Sequence, residues 1–351
     1  MRPCLAVPVI FRAHGANPEK LFEAAGIPIP PQEKILDFSA NTNVLPWNGK
    51  LDVDLWRCLS SYPDDEATEL RAIVAEREGC DLENVLFTNG SNEAINLAAS
   101  FLGGKKVSVL QPSYGEYVRA LSAYGADVRN VFSIDELDGC DALFLCNPRN
   151  PTGDYIDARE LKALFSGAPD TLFVVDEAYV DFLIPDEDAP CKINVLWHKN
   201  VVILRSLTKI FHLCWARLGY VLACSERIKQ LRSRQPAWSV NALAQAVGAA
   251  FMRDEAFVRK TRAFYASETP RFIASLRDEG FVVRPTKTNF FLIETADDQK
   301  LIYSLLTRGI VVRHTRNFPG LDGRYIRVAT RMPNENDFLV SALVETKEGT
   351  K

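Results

Sequence analysis

The chain has 351 residues, 47% apolar and 25% charged, with a formal net charge of −4. That length suits about two domains and a large core, and so small a charge argues against a nucleic-acid or other polyanionic partner. Eight cysteines without a CxxC pair, and four histidines that do not cluster with them, exclude an evident zinc centre or disulfide framework and read as reduced thiols in a cytosol.

The opening MRPCLAVPVIFRAHG carries an apolar patch broken by Pro3 and Pro8 and closed by Arg12. It is too short and interrupted for a membrane span and lacks a signal-peptide cleavage pattern, so a cytoplasmic protein is expected. Residues 14–48 read as a short helix, a proline-rich connector and an extended piece, too little for a core and expected to lie as an arm across another element. Within it, DFSAN at 37–41 sets hydroxyl and amide groups on a turn, where Ser39 and Asn41 either satisfy the turn backbone or face a ligand.

Candidate helices at 51–59 and 66–77 flank Tyr62-Pro63-Asp64, and a strand at 84–88 runs into Asn89-Gly90-Ser91-Asn92-Glu93 and an apolar-periodic helix at 94–101. A strand, a Gly/Ser turn and a helix start make an anion site, because free N–H groups and the positive end of the helix dipole meet at the turn. Helix capping alone accounts equally for Ser91 and Asn92. A strand at 107–110 leads to Tyr114 on a loop, a residue that stacks on a flat ring or serves as a packing lid. The strand at 142–146 ends in NPRNPTG, whose prolines fix the backbone around Asn147. A helix at 158–165 returns to a strand at 172–175, which ends in Asp176-Glu177-Ala178-Tyr179.

The apolar run at 201–204 is a further buried strand, and it delivers SLTKIFHLCWARLG at 206–219. A nucleophilic amine such as that of Lys209 must lose its proton near neutral pH, which burial and a neighbouring cation promote. Ser206, Thr208 and Arg217 beside it suit a phosphate. Pyridoxal 5'-phosphate answers both needs with an aldehyde and a phosphate, and its ring nitrogen calls for a carboxylate. Asp176 suits that nitrogen, and Asn147 and Tyr179 the phenolic oxygen; a helix cap is the alternative for Asp176 and leaves Asn147, Lys209 and Arg217 unexplained.

Strands and helices alternate over 84–222 and the strands are uniformly apolar, which predicts a mostly parallel sheet covered by helices on both faces. Ligands of such sheets bind beyond the carboxyl ends of the strands. Gly90, Tyr114, Asn147, Asp176, Tyr179 and Lys209 each follow a strand and are expected to share one crevice. After residue 220, helices at 228–234 and 241–276, the second broken near Arg253 or Pro270, precede short elements at 281–284, 289–294, 300–306, 310–313, 325–329 and 337–344. This pattern predicts a smaller α+β domain. The expected division is an arm over 1–45 that joins the small domain, a large domain over 46–245 and the small domain over 246–351. Arg327 alternates with apolar neighbours on its strand, a placement that suits a ligand carboxylate.

Together NPRNPTG, DEAY, SLTK with Arg217, and IRVATR resemble the fold-type I aminotransferases of pyridoxal phosphate, over essentially the whole chain. HGAN, DFSAN and NFPGLDGRYIRVATR are most similar to the threonine-phosphate decarboxylases of cobalamin synthesis, with histidinol-phosphate aminotransferases the nearest relatives. The resemblance implies the type I pyridoxal-phosphate transferase fold, a mostly parallel sheet in a large domain plus a smaller α+β domain, and a homodimer. By it Lys209 bonds the cofactor aldehyde and later moves protons, Asp176 pairs with the ring nitrogen, Asn147 and Tyr179 hold the phenolic oxygen, and Tyr114 stacks on the ring. Gly90, Ser91, Asn92, Ser206, Thr208 and Arg217 would take the cofactor phosphate, with Tyr62 contributed by the neighbouring subunit. Arg327, helped by Asn41, would bind the substrate carboxyl group; His14, Arg313, Arg316 and Arg331 are candidates for a substrate phosphate. In place of the small step usual before Arg217, this chain has IFHLCWA, so Trp215 is expected to reshape the floor of the site, and the segment after Asn43 is shorter than usual.

Three activities fit these residues. One is decarboxylation of O-phospho-L-threonine to (R)-1-amino-2-propanol O-phosphate, which the terminal motifs favour. Another is transamination of histidinol phosphate or another amino acid with 2-oxoglutarate. The third is a non-catalytic binding protein that kept the fold, against which the intact Lys209, Asp176 and Arg217 set weighs. No metal, nucleic-acid or membrane partner is expected.

Overall fold

The computed structural model describes residues 17–137, 139–183 and 198–348, so His14 lies outside the described residues. In chain order come α1 (Pro18–Ala25), β1 (Leu36–Asp37), α2 (Leu55–Ser60), α3 (Thr68–Glu78), β2 (Val85–Asn89), α4 (Gly90–Ala99), β3 (Lys106–Leu110), α5 (Glu116–Ala123), β4 (Asp127–Val131) and β5 (Ala142–Cys146). They are followed by α6 (Ala158–Gly167), β6 (Leu172–Asp176), β7 (Val201–Ser206), α7 (Leu207–Ile210), β8 (Leu218–Ala223), α8 (Ser225–Arg232), α9 (Ala242–Met252) and α10 (Glu255–Asp278). The last elements are β9 (Phe290–Glu294), α11 (Asp298–Leu306), β10 (Ile310–Val311), β11 (Arg313–His314), β12 (Tyr325–Ala329) and α12 (Pro333–Glu348).

Among the described residues seven strands form one sheet in the order β2-β8-β7-β6-β5-β3-β4. Pairs β7–β6, β6–β5, β5–β3 and β3–β4 are parallel, while β8 runs against both of its neighbours, β2 and β7. Every residue of β5, β7 and β8 is buried, which is why they carry unbroken apolar stretches, such as Val201 to Leu204 in β7, rather than alternating sequences. Strand β4, DVRNV, sits at the edge with only Val131 buried; its polar sequence hid it, and the strand does not figure among the expected elements. Side chains of Asp54, Asp157 and Asn241 accept backbone N–H bonds at the starts of α2, α6 and α9.

Two compact units result, one from the described residues of 42–150 and 154–263, the other from those of 17–41, 151–153 and 264–348. The later boundary falls inside α10, whereas the sequence placed it at 245/246; α9 goes with the larger unit because its Gly248 face lies against Leu218 and Leu70. The smaller unit holds a three-stranded antiparallel sheet, β11-β12-β9, and the parallel pair β1–β10. Its core gathers Phe22, Phe38, Phe272, Phe291, Ile326 and Leu339, so the N-terminal segment buries its aromatics there. No helix among the described residues is long and apolar enough to cross a membrane.

Candidate active site

Strand register explains how residues distant in sequence meet in the larger unit. Ser206, the last residue of β7, pairs with Gly219, and Asn89, the last residue of β2, pairs with Leu218. Because β8 runs against both, its beginning lies at the carboxyl ends of β7 and β2. Arg217 therefore arrives beside the Gly90 turn, and Lys209, in α7 directly after β7, stands at the same end of the sheet. A side-chain carbon added to Gly90 would lie 2.7 Å from Arg217 Nη2, so only glycine lets the guanidinium close on that turn. Gly219 is equally tight: a carbon there would fall 2.9 Å from Ser91 N.

Ser91 and Asn92 are the second and third residues of α4 rather than its cap, and the cap residue Asn89 offers no side-chain hydrogen bond. Capping thus does not account for them. The amides at the start of α4 and a guanidinium bring two positive ends together, and Arg217 holds its place at a φ of 54°, a left-handed value unusual for a non-glycine residue. Such an arrangement is relieved by an anion with several acceptors, which a phosphate is. Ser206 and Thr208 are buried at the same strand end.

Asp176 ends β6, paired with Cys146 at the end of β5. It is buried, and burial raises its carboxyl pKa above the ordinary value, against a Tyr117 hydroxyl bond to Oδ2 at 2.7 Å, an Ala178 N–H bond to Oδ1 at 2.9 Å and the charge of Lys209. The Ala178 bond closes a local turn and is not the helix cap offered as the alternative, because the short 3-10 helix that follows, Val180–Phe182, has Tyr179 at its N-cap. Asn147 is fixed by Ile156, which accepts from Nδ2 at 2.9 Å and donates to Oδ1 at 2.8 Å, leaving a second N–H on Nδ2 for a ligand oxygen. Lys209 Nζ lies 5.7 Å from the centre of the buried Tyr179 ring. The Tyr114 hydroxyl donates to Asn92 Oδ1 at 3.2 Å, and its own pKa is pushed up to about 12 by burial.

Sequence reasoning missed Tyr117 and Asn43. The backbone N–H of Asn43 donates to Lys209 O at 2.9 Å, and its Nδ2 donates to Ile210 O and Thr261 Oγ1, each at 2.9 Å. These bonds satisfy the carbonyls at the end of the one-turn α7 and so fix the lysine's backbone. His212 Nδ1 lies 2.9 Å from Thr42 Oγ1 in the following loop. Trp215 is 97% exposed on this chain, so it is not part of a buried floor of the site as the sequence suggested; His212 and Arg217, on either side of it, are both at positive φ. Tyr62 is 80% exposed, its ring tilted against that of Trp238 with centroids 4.7 Å apart.

The remaining candidates belong to the smaller unit. Ser39 answers its own turn, bonding Asp37 Oδ1 through N and Oγ, whereas both amide atoms of the buried Asn41 lack a hydrogen-bond partner among the described residues. Arg327 pairs across strands with Arg313 and donates to Ser39 O at 2.6 Å. Burial, then the charge of Arg327, pulls the Arg313 pKa down to about 9, a crowding of cations that favours an anion. Arg313 also contacts His314 and Asn317. Arg331 is engaged through its two terminal nitrogens by Asp37 O and Glu335, its Nε finding no partner among the described residues, and Arg316 binds the carboxylate of Asp298 at 3.0 Å to each oxygen. Among the described residues no cluster of metal-ligating side chains occurs.

The family model for aminotransferase class I and II matches residues 54–343. The chain is 33% identical over 356 residues to the threonine-phosphate decarboxylase of Salmonella typhimurium, covering 94% of this chain and 95% of that one. It is 30% identical over 309 residues to the histidinol-phosphate aminotransferase of Geobacillus thermodenitrificans, covering 83% and 84%. The crystal structure of L-threonine-O-3-phosphate decarboxylase from Porphyromonas gingivalis superposes with a TM-score of 0.80 at 29% identity, over 90% of this chain and all of that one.

Proposed function

The chain belongs to the aminotransferase class I and II family, whose cofactor is pyridoxal 5'-phosphate, and from that premise we propose that it decarboxylates O-phospho-L-threonine to (R)-1-amino-2-propanol O-phosphate, as in cobalamin biosynthesis. The observation that carries the reading is the 33% identity to a threonine-phosphate decarboxylase along nearly the full length of both chains.

The residues present fit the cofactor. A phosphate suits the cradle that Gly90 and Gly219 leave open beneath Arg217, with Ser91, Asn92, Ser206 and Thr208 as further donors. Asp176 suits the ring nitrogen and Asn147 and Tyr179 the phenolic oxygen, while Tyr114 suits stacking on the ring. When bound, the cofactor supplies an electron sink that lowers the barrier to breaking a bond at the substrate's α carbon. Lys209 is the covalent anchor and afterwards holds at Nζ the proton that replaces the departing carboxylate, so that substrate plus one proton gives the amine and carbon dioxide. Asp176 holds a proton on the ring nitrogen as its ion-pair partner. Arg327 and Asn41 take the substrate carboxyl group and Arg313 its phosphate; the Asn41 amide, without a partner among the described residues, and the crowded Arg313 charge support these roles. His14 and Arg331 are further substrate candidates, the first outside the described residues and the second already engaged by Glu335.

The reading includes a cytoplasmic homodimer in which Tyr62 serves the partner's cofactor phosphate; the exposure of Tyr62 supports it. Purified protein with cofactor is tested with O-phospho-L-threonine, and separately with histidinol phosphate and 2-oxoglutarate. Carbon dioxide without glutamate is expected, with Lys209→Ala inactive. Glutamate without carbon dioxide would instead establish the transaminase, to which the 30% identity with a histidinol-phosphate aminotransferase also points. A protein without an absorbance band of lysine-bound cofactor would be left as a binding protein.

A further inference from the structure

Burial places Asp176 where a carboxyl group is more comfortable with its proton, yet a protonated ring nitrogen needs it as an anion. We propose that Tyr117 is the positioning residue that resolves this conflict: its hydroxyl, donating to Asp176 Oδ2 at 2.7 Å, keeps the carboxylate ionised and aimed so that the ring nitrogen stays protonated. The inference rests on the pyridoxal phosphate reading.

The groups facing Asp176 are few. Ala178 donates a backbone N–H to the other oxygen at 2.9 Å, a bond no side-chain change can tune. Lys209 contributes charge, but its amine is the reacting group and cannot serve as a constant counter-ion. Cys146, on the neighbouring strand, has its thiol pushed up to about 12 by burial and by Asp176, so it is neutral; it donates to Pro148 O at 3.1 Å and also hydrogen-bonds the Tyr117 hydroxyl. Tyr114 lies edge-on to the Tyr117 ring at 5.8 Å, and Phe144 packs at 6.0 Å.

Tyr117 is thus the side chain that donates to the carboxylate without taking part in the reaction. Its buried ring packs against both Tyr114 and Phe144, so the hydroxyl is held in place. Burial and Asp176 hold its own pKa well above the ordinary value, so it remains a donor at working pH. Each carboxylate oxygen can accept more than one bond, so the Tyr117 and Ala178 bonds do not exhaust Asp176.

Tyr117→Phe keeps the ring and its packing and removes only the donor. The variant and the wild type are reconstituted with cofactor labelled with nitrogen-15 in the ring, and the nitrogen chemical shift, the cofactor dissociation constant and the unfolding midpoint of the cofactor-free protein are measured. The wild type is expected to show a protonated ring nitrogen. In the variant the shift moves toward neutral pyridine and cofactor binds about tenfold more weakly, the size of one hydrogen bond to a charged group. A tyrosine that merely fills the core would leave the shift unchanged and lower only the unfolding midpoint, and that result overturns the proposal. A wild type that binds no cofactor, or binds it identically in Lys209→Ala, instead defeats the pyridoxal phosphate reading itself, an outcome seen before any change at Tyr117.

Discussion

Asp176 is a carboxylate in surroundings that disfavour its charge, and this has a measurable consequence in the cofactor-free protein. Burial raises its pKa from an ordinary 3.8, the bonds from Tyr117 and Ala178 and the charge of Lys209 only partly opposing the shift. The unfolded chain loses this proton near its ordinary value while the folded chain keeps it to higher pH. Within that window the folded state binds more protons, so stability falls as pH rises through it and stays lower above it. Asp176→Asn has nearly the same shape and no charge. The cofactor-free variant is expected to lose that fall and to be more stable than the wild type at neutral pH, while turnover drops by about a hundredfold or more through loss of the ion pair to the ring nitrogen. Urea titrations across pH and a carbon dioxide assay check both halves; a variant less stable than the wild type at neutral pH would reject the first. The placement of Asp176, Lys209 and Arg217 beside the ends of apolar strands was legible in the sequence, because a charge next to such a strand needs a reason. Tyr117 was not, since an aromatic residue in EYVRALSA reads as core at helical spacing, and its role lies in a contact with a residue 59 positions away.

Among the elements, the junction of β8 with the turn before α4 carries the tightest constraint. A carbon on Gly219 would meet Arg205 O at 2.7 Å, Ser91 N at 2.9 Å and Gly90 C at 3.0 Å, all backbone atoms that cannot rotate aside. Gly219→Ala must therefore part β8 from the turn, shifting the amides proposed for the cofactor phosphate. A loss of about 2 kcal/mol of stability is expected from the overpacking, with cofactor affinity lower by about tenfold or more. Titration with pyridoxal phosphate and urea unfolding measure the two; an unchanged dissociation constant would remove Ser91 N from the phosphate site. The apolar strands around this junction were readable because burial on both faces favours apolar residues, and the charged exception in β7, Arg205, is paired with Glu177 at 2.7 Å. Less readable was the long helical stretch, whose break falls at Arg253-Asp254 and not at Pro270. Asp254 Oδ1 accepts from Phe257 N at 2.9 Å and starts α10 there, while Pro270 is carried inside a helix whose Phe272 and Leu276 are anchored in the smaller unit's core.

At the scale of the whole molecule, the alternation of elements conveyed the parallel sheet and the smaller α+β unit, but not the boundary inside α10, because a continuous helix carries no compositional signal where it passes from one core to another. Nor does periodicity report which apolar residues remain outside. Helix α2 buries none of its residues, and Leu55, Trp56 and Leu59 are exposed, Trp56 at 76%, with Tyr62 just beyond. Three large apolar side chains on six residues are more than a lone helix needs for its own fold, and a second copy of the chain is the occupant that the proposed use of Tyr62 requires. Sedimentation is expected to give twice the 39.3 kDa of one chain. Replacing Trp56 and Leu59 together by glutamate puts two charges into that face and should yield a folded monomer. If Tyr62 serves the partner's phosphate site, the monomer binds cofactor more weakly and loses activity, and Tyr62→Phe in the intact dimer reproduces part of the affinity loss by removing one hydroxyl donor. A double variant that still sediments as a dimer would place the interface elsewhere, and a fully active monomer would show that each chain completes its own site.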